Sequence, residues 1–148
     1  MLRVGTVGTS SIMRTIQEAI RLTDGMECRV VYSRTGEQGR AFAAEMGVPE
    51  HCTDYAAMLE RSDLDLIDIA SPNRFHAEQA LAALEHGKHV IVEKPAAVTR
   101  GDVQRLIDAA RANGVYFFEA ITTLFMPQYE ACRLLLPKLG RIEQAHNS

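Results

Sequence analysis

The segment at residues 88–95 constrains the fold of this chain more than any other part of the sequence. It reads Lys-His-Val-Ile-Val-Glu-Lys-Pro, and its β-branched centre is typical of a short parallel strand with both faces buried. Proline at position 95 ends the pairing of such a strand. Because open α/β sheets bind ligands just outside the carboxyl ends of their strands, we expect chemistry at Glu93 and Lys94. A solvated ion pair on a turn is the alternative interpretation.

Short apolar runs alternate with helical patterns along most of the chain. This alternation predicts βαβ units, a parallel sheet and right-handed crossovers. We therefore predict an α/β fold, a Rossmann-like doubly wound parallel sheet of about six strands. The predicted strands lie near residues 2–7, 30–32, 51–53, 66–70, 90–92 and 115–118.

Threonines mark several of the predicted helix starts. Thr35 and Gln38 have the spacing of a capping box, in which the first side chain binds a free backbone amide. Thr53 is placed to cap a brief helix that runs to residue 59. Thr99 with Asp102 marks a further helix N-terminus.

The alternating pattern closes near residue 120. Residues 121–127 are apolar and irregular, residues 128–136 have a helical pattern, and residues 141–144 read as the start of a strand. We therefore predict a nucleotide-binding domain at residues 1–120, and at residues 121–148 a linker helix with the start of a second domain that lies outside this chain. Ile121, Leu124, Phe125 and Met126 are expected to form an exposed apolar patch, which predicts self-association or disorder after residue 120.

Composition argues against several classes of partner. The 148 residues are 47% hydrophobic and 24% charged with a net charge of -3, which indicates a globular protein without strong attraction to nucleic acid or anionic membranes. No apolar run reaches the length of a membrane span and no signal pattern precedes the first strand, so we expect a cytoplasmic protein. The three cysteines lack metal-ligand spacing and are expected to be buried and reduced.

Three aspartates close together raise the question of a metal site. Asp63, Asp65 and Asp68 are of the residue type that hard cations prefer. However, Asp65 and Asp68 would face opposite sides of a strand. Turn and solvated-surface roles are therefore favoured, and no metal site is predicted.

The first βα turn has part of a dinucleotide-binding fingerprint. Such a turn needs glycine at the bend and where the backbone approaches the pyrophosphate, and the following helix contributes amides and the positive end of its dipole. Gly8 supplies the bend, but Ser10 and Met13 stand where the second and third glycines would be. An ordinary βα turn capped by Ser10 is the alternative interpretation. The remaining predicted cofactor contacts in this turn are Thr9, Ser11 and Ile12.

The end of the second strand indicates which dinucleotide is bound. NAD-specific folds place an acidic side chain there for the ribose 2′-hydroxyl, whereas an arginine accommodates a 2′-phosphate. This chain has Ser33 and Arg34 at that place and no acid. A guanidinium binds phosphate in bidentate fashion, and a carboxylate would repel it. NADP(H) is therefore the predicted preferred cofactor, with NAD(H) as a possible one.

The fourth strand ends at the same edge of the sheet, with Ser71, Pro72 and Asn73. Pro72 fixes the bend, and the Asn73 amide can both donate and accept hydrogen bonds. All three are therefore predicted cofactor contacts. His76 lies one helical turn further on, and because a lone histidine on a helix is more often structural, it is left out of the predicted catalytic set.

Together these motifs resemble the glucose–fructose oxidoreductase / inositol dehydrogenase (Gfo/Idh/MocA) family of nicotinamide-dependent sugar oxidoreductases. The resemblance covers the whole chain, and the Glu-Lys-Pro strand end is its specific element, whereas the glycine turn is not specific. The matching segments lie within residues 7–12, 31–34, 69–76, 87–95, 119–127 and 139–142.

The resemblance implies roles for individual residues. Lys94 matches the family lysine that contacts the reacting substrate hydroxyl and helps to move its proton during hydride transfer. Glu93 and Asn73 match residues near the nicotinamide ribose, and a cis peptide bond is favoured between Lys94 and Pro95. Family members continue for about another domain's length. That part forms the substrate pocket, supplies a second catalytic residue and mediates assembly, which implies a homo-oligomer.

We therefore expect the NADP(H)-binding domain of an oxidoreductase that acts on CH–OH groups of a sugar, polyol or related small molecule. The chain alone is expected to be inactive, because the walls of the substrate pocket would lie in the second domain. A non-catalytic dinucleotide-binding or sensor module is one alternative. A methyltransferase-like Rossmann domain is another, against which Lys94 and the missing acid after the second strand argue.

Overall fold

The computed structural model describes residues 1–140, which contain one six-stranded sheet. Its strands are β1 Leu2–Val7, β2 Met26–Tyr32, β3 Glu50–Cys52, β4 Leu66–Ile69, β5 His89–Glu93 and β6 Phe117–Ala120. They lie in the order β3-β2-β1-β4-β5-β6, and every neighbouring pair is parallel. The strand order reverses between β1 and β4, and doubly wound sheets bind their ligands in the crevice at such a point.

Helices connect the strands. They are α1 Ser11–Leu22, α2 Gly36–Met46, α3 Tyr55–Leu59, α4 His76–Glu85, α5 Arg100–Asn113 and α6 Pro127–Leu135. Short 3₁₀ turns lie at Asn73–Phe75, Thr122–Phe125 and Leu136–Leu139. The predicted α/β fold with a six-stranded parallel sheet is therefore confirmed.

Each face of the sheet packs against its own helices. Val4 of β1 packs with Ile20 of α1 on one face. On the other face, Ile67 of β4 packs in one cluster with Leu84 of α4 and Leu106 of α5. All of β4 is buried, as expected for a strand with helices on both sides. The carboxyl edge of the sheet is thereby left open to ligands.

The last strand begins two residues later than the sequence pattern predicts. The backbone of Gly114 is left-handed at the end of α5, and the N–H of Val115 donates to the carbonyl of Ala110 at 3.0 Å. This hydrogen bond satisfies a carbonyl at the helix end, so Val115 still belongs to the helix cap. The apolar run from residue 115 therefore enters the sheet only at Phe117.

Two of the three predicted helix caps differ in the structure. Thr35 occupies the N-cap position of α2, but its side chain forms no capping hydrogen bond. Asp54, rather than Thr53, caps α3, and its Oδ1 accepts a backbone hydrogen bond of 3.0 Å. A carboxylate also interacts favourably with the positive end of the helix dipole. Thr99 caps α5 as predicted, and its Oγ1 accepts from the backbone N–H of Asp102 at 3.1 Å.

The segment that follows β6 differs from the rest of the described chain because its described side chains are exposed. The four predicted patch residues are among them, and Phe125 is 86% exposed. Cys132 is exposed too, contrary to the prediction, because α6 packs against no core. The predicted strand at residues 141–144 lies outside the described residues. Within residues 1–140, the helices are too short or too polar to cross a bilayer.

Candidate functional site

Most of the predicted cofactor contacts line one cavity at the carboxyl edge of the sheet. This cavity of about 240 Å³, which we call the Arg34 cavity, lies at the ends of β1, β2 and β4. The predicted contacts that line it are Gly8, Thr9, Ser10, Ser33, Arg34, Ser71 and Pro72. Six further lining residues were not among the predicted contacts, namely Val7, Tyr32, Gln38, Ala70, Phe75 and Gln79.

Gly8 forms the bend that the sequence predicts. Its φ is +116°, a value that side-chain-bearing residues rarely adopt, and its N–H donates to the carbonyl of Tyr32 at 3.0 Å. A Cβ at this position would lie 2.7 Å from the carbonyl oxygen of Ala70. Glycine therefore allows the ends of β1 and β4 to approach each other closely beneath the cavity.

The N-terminus of α1 faces this bend. Ser10 is the N-cap residue, and its Oγ accepts from the N–H of Met13 at 3.4 Å, so the serine cap of the alternative interpretation is present at this turn. The first turn of this described helix carries no acidic residue. An anion can thus approach the helix amides and the positive end of the dipole without repulsion. Met13 replaces the third glycine of the fingerprint and is fully buried beside Phe42 and Ala70.

Charge in the Arg34 cavity is positive. The Arg34 side chain is exposed, whereas Ser33 beside it is buried. Among residues 1–140, no aspartate or glutamate lines this cavity. A phosphate group can therefore form charge-assisted hydrogen bonds to the guanidinium here.

Side-chain contacts hold the far wall of the Arg34 cavity in place. The rings of Tyr32 and Tyr55 lie 5.3 Å apart, and the Tyr55 hydroxyl donates to the backbone carbonyl of Gln79 at 2.8 Å. Ser71 Oγ donates to Gln79 Oε1 at 2.6 Å. Burial raises the pKa of Tyr55, so its phenol stays a hydrogen-bond donor. These bonds connect the end of β4 to α4 and fix the cavity's shape.

A second cavity of about 350 Å³, which we call the Lys94 cavity, lies beside the first. Its lining includes the predicted residues Ile12, Asn73, Glu93 and Lys94, together with His76. Ser10, Ala70, Ser71 and Pro72 line both cavities. An elongated ligand could therefore pass from one cavity to the other across the turn that ends β4.

Lys94 stands at the outer side of this second cavity. Its side chain is exposed, and the Lys94-Pro95 peptide bond is cis, as the resemblance predicts. Lys94 also lines a neighbouring opening of about 380 Å³ formed with Glu119 and the start of the exposed segment, residues 120–123. The Lys94 amine is thus accessible from the side on which the described chain has little packing.

Asp68 is buried under this edge of the sheet, which corrects the expectation of a solvated role. It is 6% exposed, and its Oδ1 has no hydrogen-bond partner among residues 1–140. Asp68 pairs in register with Ile91, two residues before Glu93. Burial, with a smaller contribution from the negative charge of Glu93, raises the pKa of Asp68 to about 7.

The other two aspartates are held by arginines. Asp65 accepts three hydrogen bonds of 2.6–2.9 Å from the backbone and guanidinium of Arg3, which hold the pKa of its carboxyl well below the usual range. Hydrogen bonds from Arg61 lower the pKa of Asp63 to about 2. The two arginines therefore balance the charges of Asp63 and Asp65.

The two cavities together contain every predicted site residue except Ser11. That residue is the exposed first position of α1 and lines neither cavity. His76, which the sequence argument left out of the catalytic set, lines the second cavity. Both of its ring nitrogens contact backbone carbonyls, at 2.7 and 2.8 Å.

Comparisons with known proteins agree with this geometry. The model of an oxidoreductase family with a NAD-binding Rossmann fold, GFO_IDH_MocA, matches residues 2–121. The scyllo-inositol 2-dehydrogenase (NADP(+)) IolU of Bacillus subtilis is 35% identical over 144 residues, which are 97% of this chain and 44% of that protein. The 1,5-anhydro-D-fructose reductase of Ensifer adhaerens is 39% identical over 116 residues, 78% of this chain and 34% of that protein.

A solved structure with the same fold contains a bound dinucleotide. KijD10, a 3-ketoreductase from Actinomadura kijaniata in complex with NADP and TDP-benzene, superposes with a TM-score of 0.87 at 31% sequence identity. The match covers 93% of this chain and 42% of that one. The chain therefore spans less than half the length of the relatives it matches.

Proposed function

Because this chain belongs to the Gfo/Idh/MocA family of oxidoreductases, we propose that its two cavities bind NADP(H) beside a proton-transferring lysine. The chain has the NAD(P)-binding Rossmann fold of that family. The observation that carries the proposal is the close approach at Gly8, where a Cβ would meet the Ala70 carbonyl at 2.7 Å. Together with the acid-free N-terminus of α1, it leaves room and favourable charge for a pyrophosphate.

The choice of NADP(H) over NAD(H) follows from the charge of the Arg34 cavity. Arg34 is available to bind a 2′-phosphate, and Ser33 offers a hydroxyl beside it. A carboxylate that would accept the 2′-hydroxyl of NAD is missing from the cavity lining in residues 1–140. The relatives named for NADP are consistent with this choice.

The proposed chemistry is oxidation or reduction at a CH–OH group of a sugar, a polyol or a related small molecule. The bound nicotinamide would accept or supply the hydride. Lys94 is the residue placed to hold or move the proton of the substrate hydroxyl, since its amine is accessible from two cavities. Glu93 and Asn73 line the same cavity and would hold the cofactor there.

The assignment of cofactor binding and substrate binding to different parts of the protein is also a proposal. Residues 1–120 would bind the cofactor, and residues 121–148 would lead into the part that forms a substrate pocket. The exposed side chains that follow β6 favour this division because none of them with a described side chain is buried in the described chain. They also favour self-association into a homo-oligomer. Light scattering tests this, and a monodisperse monomer with a protease-resistant C-terminal segment would contradict it.

Cofactor titration combined with a turnover assay tests the function. We expect the purified chain to bind NADPH but to show no measurable NADP reduction with scyllo-inositol or other polyols. Positioning a substrate against the cofactor can supply roughly 7–11 kcal/mol of the barrier, whereas one proton-transfer group contributes about 10²–10⁴-fold. Steady turnover that is lost in Lys94→Ala, but kept in the exposed control Lys138→Ala, would show that the chain is itself an enzyme. Binding without turnover also fits a non-catalytic cofactor sensor.

A further inference from the structure

The imidazole of His76 connects the ends of two strands. His76 begins α4 and is 1% exposed. Its Nδ1 lies 2.8 Å from the carbonyl oxygen of Pro95, and its Nε2 lies 2.7 Å from the carbonyl oxygen of Ser71. Ser71 follows β4 and Pro95 follows β5, so the ring spans the gap between the two loops that wall the Lys94 cavity.

The chemistry of these two contacts places a requirement on the ring nitrogens. A carbonyl oxygen accepts hydrogen bonds and donates none, so each contact requires an N–H on the ring. A neutral imidazole has one N–H, whereas an imidazolium has two. We propose that His76 is a positioning residue that holds the Lys94 cavity together as an imidazolium, donating from both nitrogens to the carbonyls of Ser71 and Pro95.

Other histidines in the chain form a different set of contacts. His89 Nδ1 accepts a hydrogen bond from the backbone N–H of Tyr116 at 3.1 Å, so that nitrogen carries no proton. His86 Nδ1 contacts one carbonyl, that of Ala82, at 2.7 Å on the exposed side of α4. The two carbonyl contacts of His76 are therefore a property of its site, and His89 provides an internal reference for a bare ring nitrogen.

The proposed consequence is a cavity whose shape depends on pH. Loss of either ring proton would turn one charge-assisted hydrogen bond into a contact between two lone pairs, and would release one of the two loops. The loop at Pro95 carries Lys94, which the proposed function requires, so the inference rests on that function for its catalytic meaning.

Charged groups lie on each of the elements around the His76 ring. They are Asp68 on β4, Arg74 and Glu78 near the start of α4, Glu93 and Lys94 at the end of β5, Asp102 and Arg105 on α5, and Glu119 on β6.

The protonation of His76 can be read directly from a ¹⁵N-labelled sample of the whole chain. Spectra that correlate ring nitrogens with ring protons at neutral pH should show two protonated nitrogens for His76, and one bare nitrogen for His89. The other four histidines are replaced by glutamine one at a time, and the four loss spectra assign every signal except that of His76; the variants are His51→Gln, His86→Gln, His89→Gln and His146→Gln. The result therefore does not depend on a stable His76 variant. One bare nitrogen in the His76 ring would overturn the proposal.

A cofactor titration across pH then tests the positioning role. NADPH affinity of the unmutated chain should weaken as pH rises through the loss of a His76 ring proton in the spectra. This pH dependence should be absent in His76→Gln and retained in His86→Gln. If His76→Gln keeps the same pH profile, the positioning role is wrong. If NADPH fails to bind at any pH, the proposed function fails, while the spectra still decide the charge of His76.

Discussion

The two cavities at the carboxyl edge of the sheet differ in how completely the described chain encloses them. The Arg34 cavity has walls from β1, β2, β4 and the 3₁₀ turn before α4, and hydrogen bonds from Tyr55 and Ser71 to Gln79 fix its far side. The Lys94 cavity opens beside residues 119–123, whose continuation is exposed. The comparison supports the proposal that the described chain binds the dinucleotide, and that the space for a second reactant is open on one side.

The largest expected effect concerns Asp68, the buried carboxyl of β4. Its pKa of about 7 is above the value of 3.8 for an unperturbed aspartate, so the folded state binds the proton more tightly than the unfolded state. Stability should therefore fall as pH rises from about 4 to about 7. Asp68→Asn should stabilise the chain at pH 8 by up to roughly 4 kcal/mol and have little effect at pH 4. Denaturant unfolding at both pH values measures this.

Asp65 is the matched comparison for Asp68, because its pKa is shifted in the opposite direction. Its pKa is lowered by hydrogen bonds from Arg3, so its contribution to stability is present above the unfolded pKa and lost as pH falls. Asp65→Asn should then destabilise the chain at neutral pH and less so in acid. If Asp68→Asn and Asp65→Asn shift stability in the same direction at pH 8, the account of the buried Asp68 carboxyl is wrong.

A smaller effect, a loss of NADPH affinity, is expected when a side chain is added at Gly8 in the Arg34 cavity. Gly8→Ala would place a methyl 2.7 Å from the Ala70 carbonyl at a φ of +116°. Strained backbone of this kind costs roughly 1–3 kcal/mol, so the bend should shift away from Ala70. NADPH affinity should then fall by about tenfold or more, because the proposed pyrophosphate site shifts with the bend. Gly25→Ala is the matched control, because Gly25 also has a positive φ but nothing within 4 Å of its added Cβ. Equal losses of NADPH affinity in both variants would assign the effect to general strain.

The smallest effect is expected for removing the Lys94 amine from the free chain. Lys94 is exposed, and every contact assigned to pyrophosphate or 2′-phosphate lies in the Arg34 cavity. Lys94→Ala should therefore change NADPH binding by less than about 0.5 kcal/mol, as surface substitutions usually do. Isothermal calorimetry beside Lys138→Ala measures this. A tenfold loss of affinity in Lys94→Ala alone would show that the Lys94 amine itself contacts the cofactor.

Sequence reasoning predicted the parts of this structure that depend on local pattern. The alternation of strands and helices and Gly8 at the bend are properties of short segments, and both are present. It missed what depends on residues far apart in the chain. The two carbonyls at His76 come from Ser71 and Pro95, and their closeness follows from the pairing of β4 with β5.

Contacts between distant parts of the chain also explain the residues whose environment the sequence predicted wrongly. Asp68 falls in an aspartate-rich stretch that resembles a solvated turn, yet the strand that contains it is covered on both faces. Gln38 and Phe75 line the Arg34 cavity from helical segments whose sequence carries no binding motif. Thr35 shows the converse, because a capping-box spacing was present without the hydrogen bond it predicts. Spacing alone does not show which acceptor a backbone amide meets.

Parallel fluorescence titrations with NADPH and NADH test the central claim most directly. The unmutated chain should bind NADPH more tightly, because a charge-assisted contact such as that of Arg34 with a 2′-phosphate is worth roughly 1.5–3 kcal/mol. Arg34→Asp should remove most of this preference. Arg40→Asp, an equal change of charge at an exposed position of α2 outside both cavities, should retain it. Equal affinity of the unmutated chain for NADPH and NADH would contradict the account.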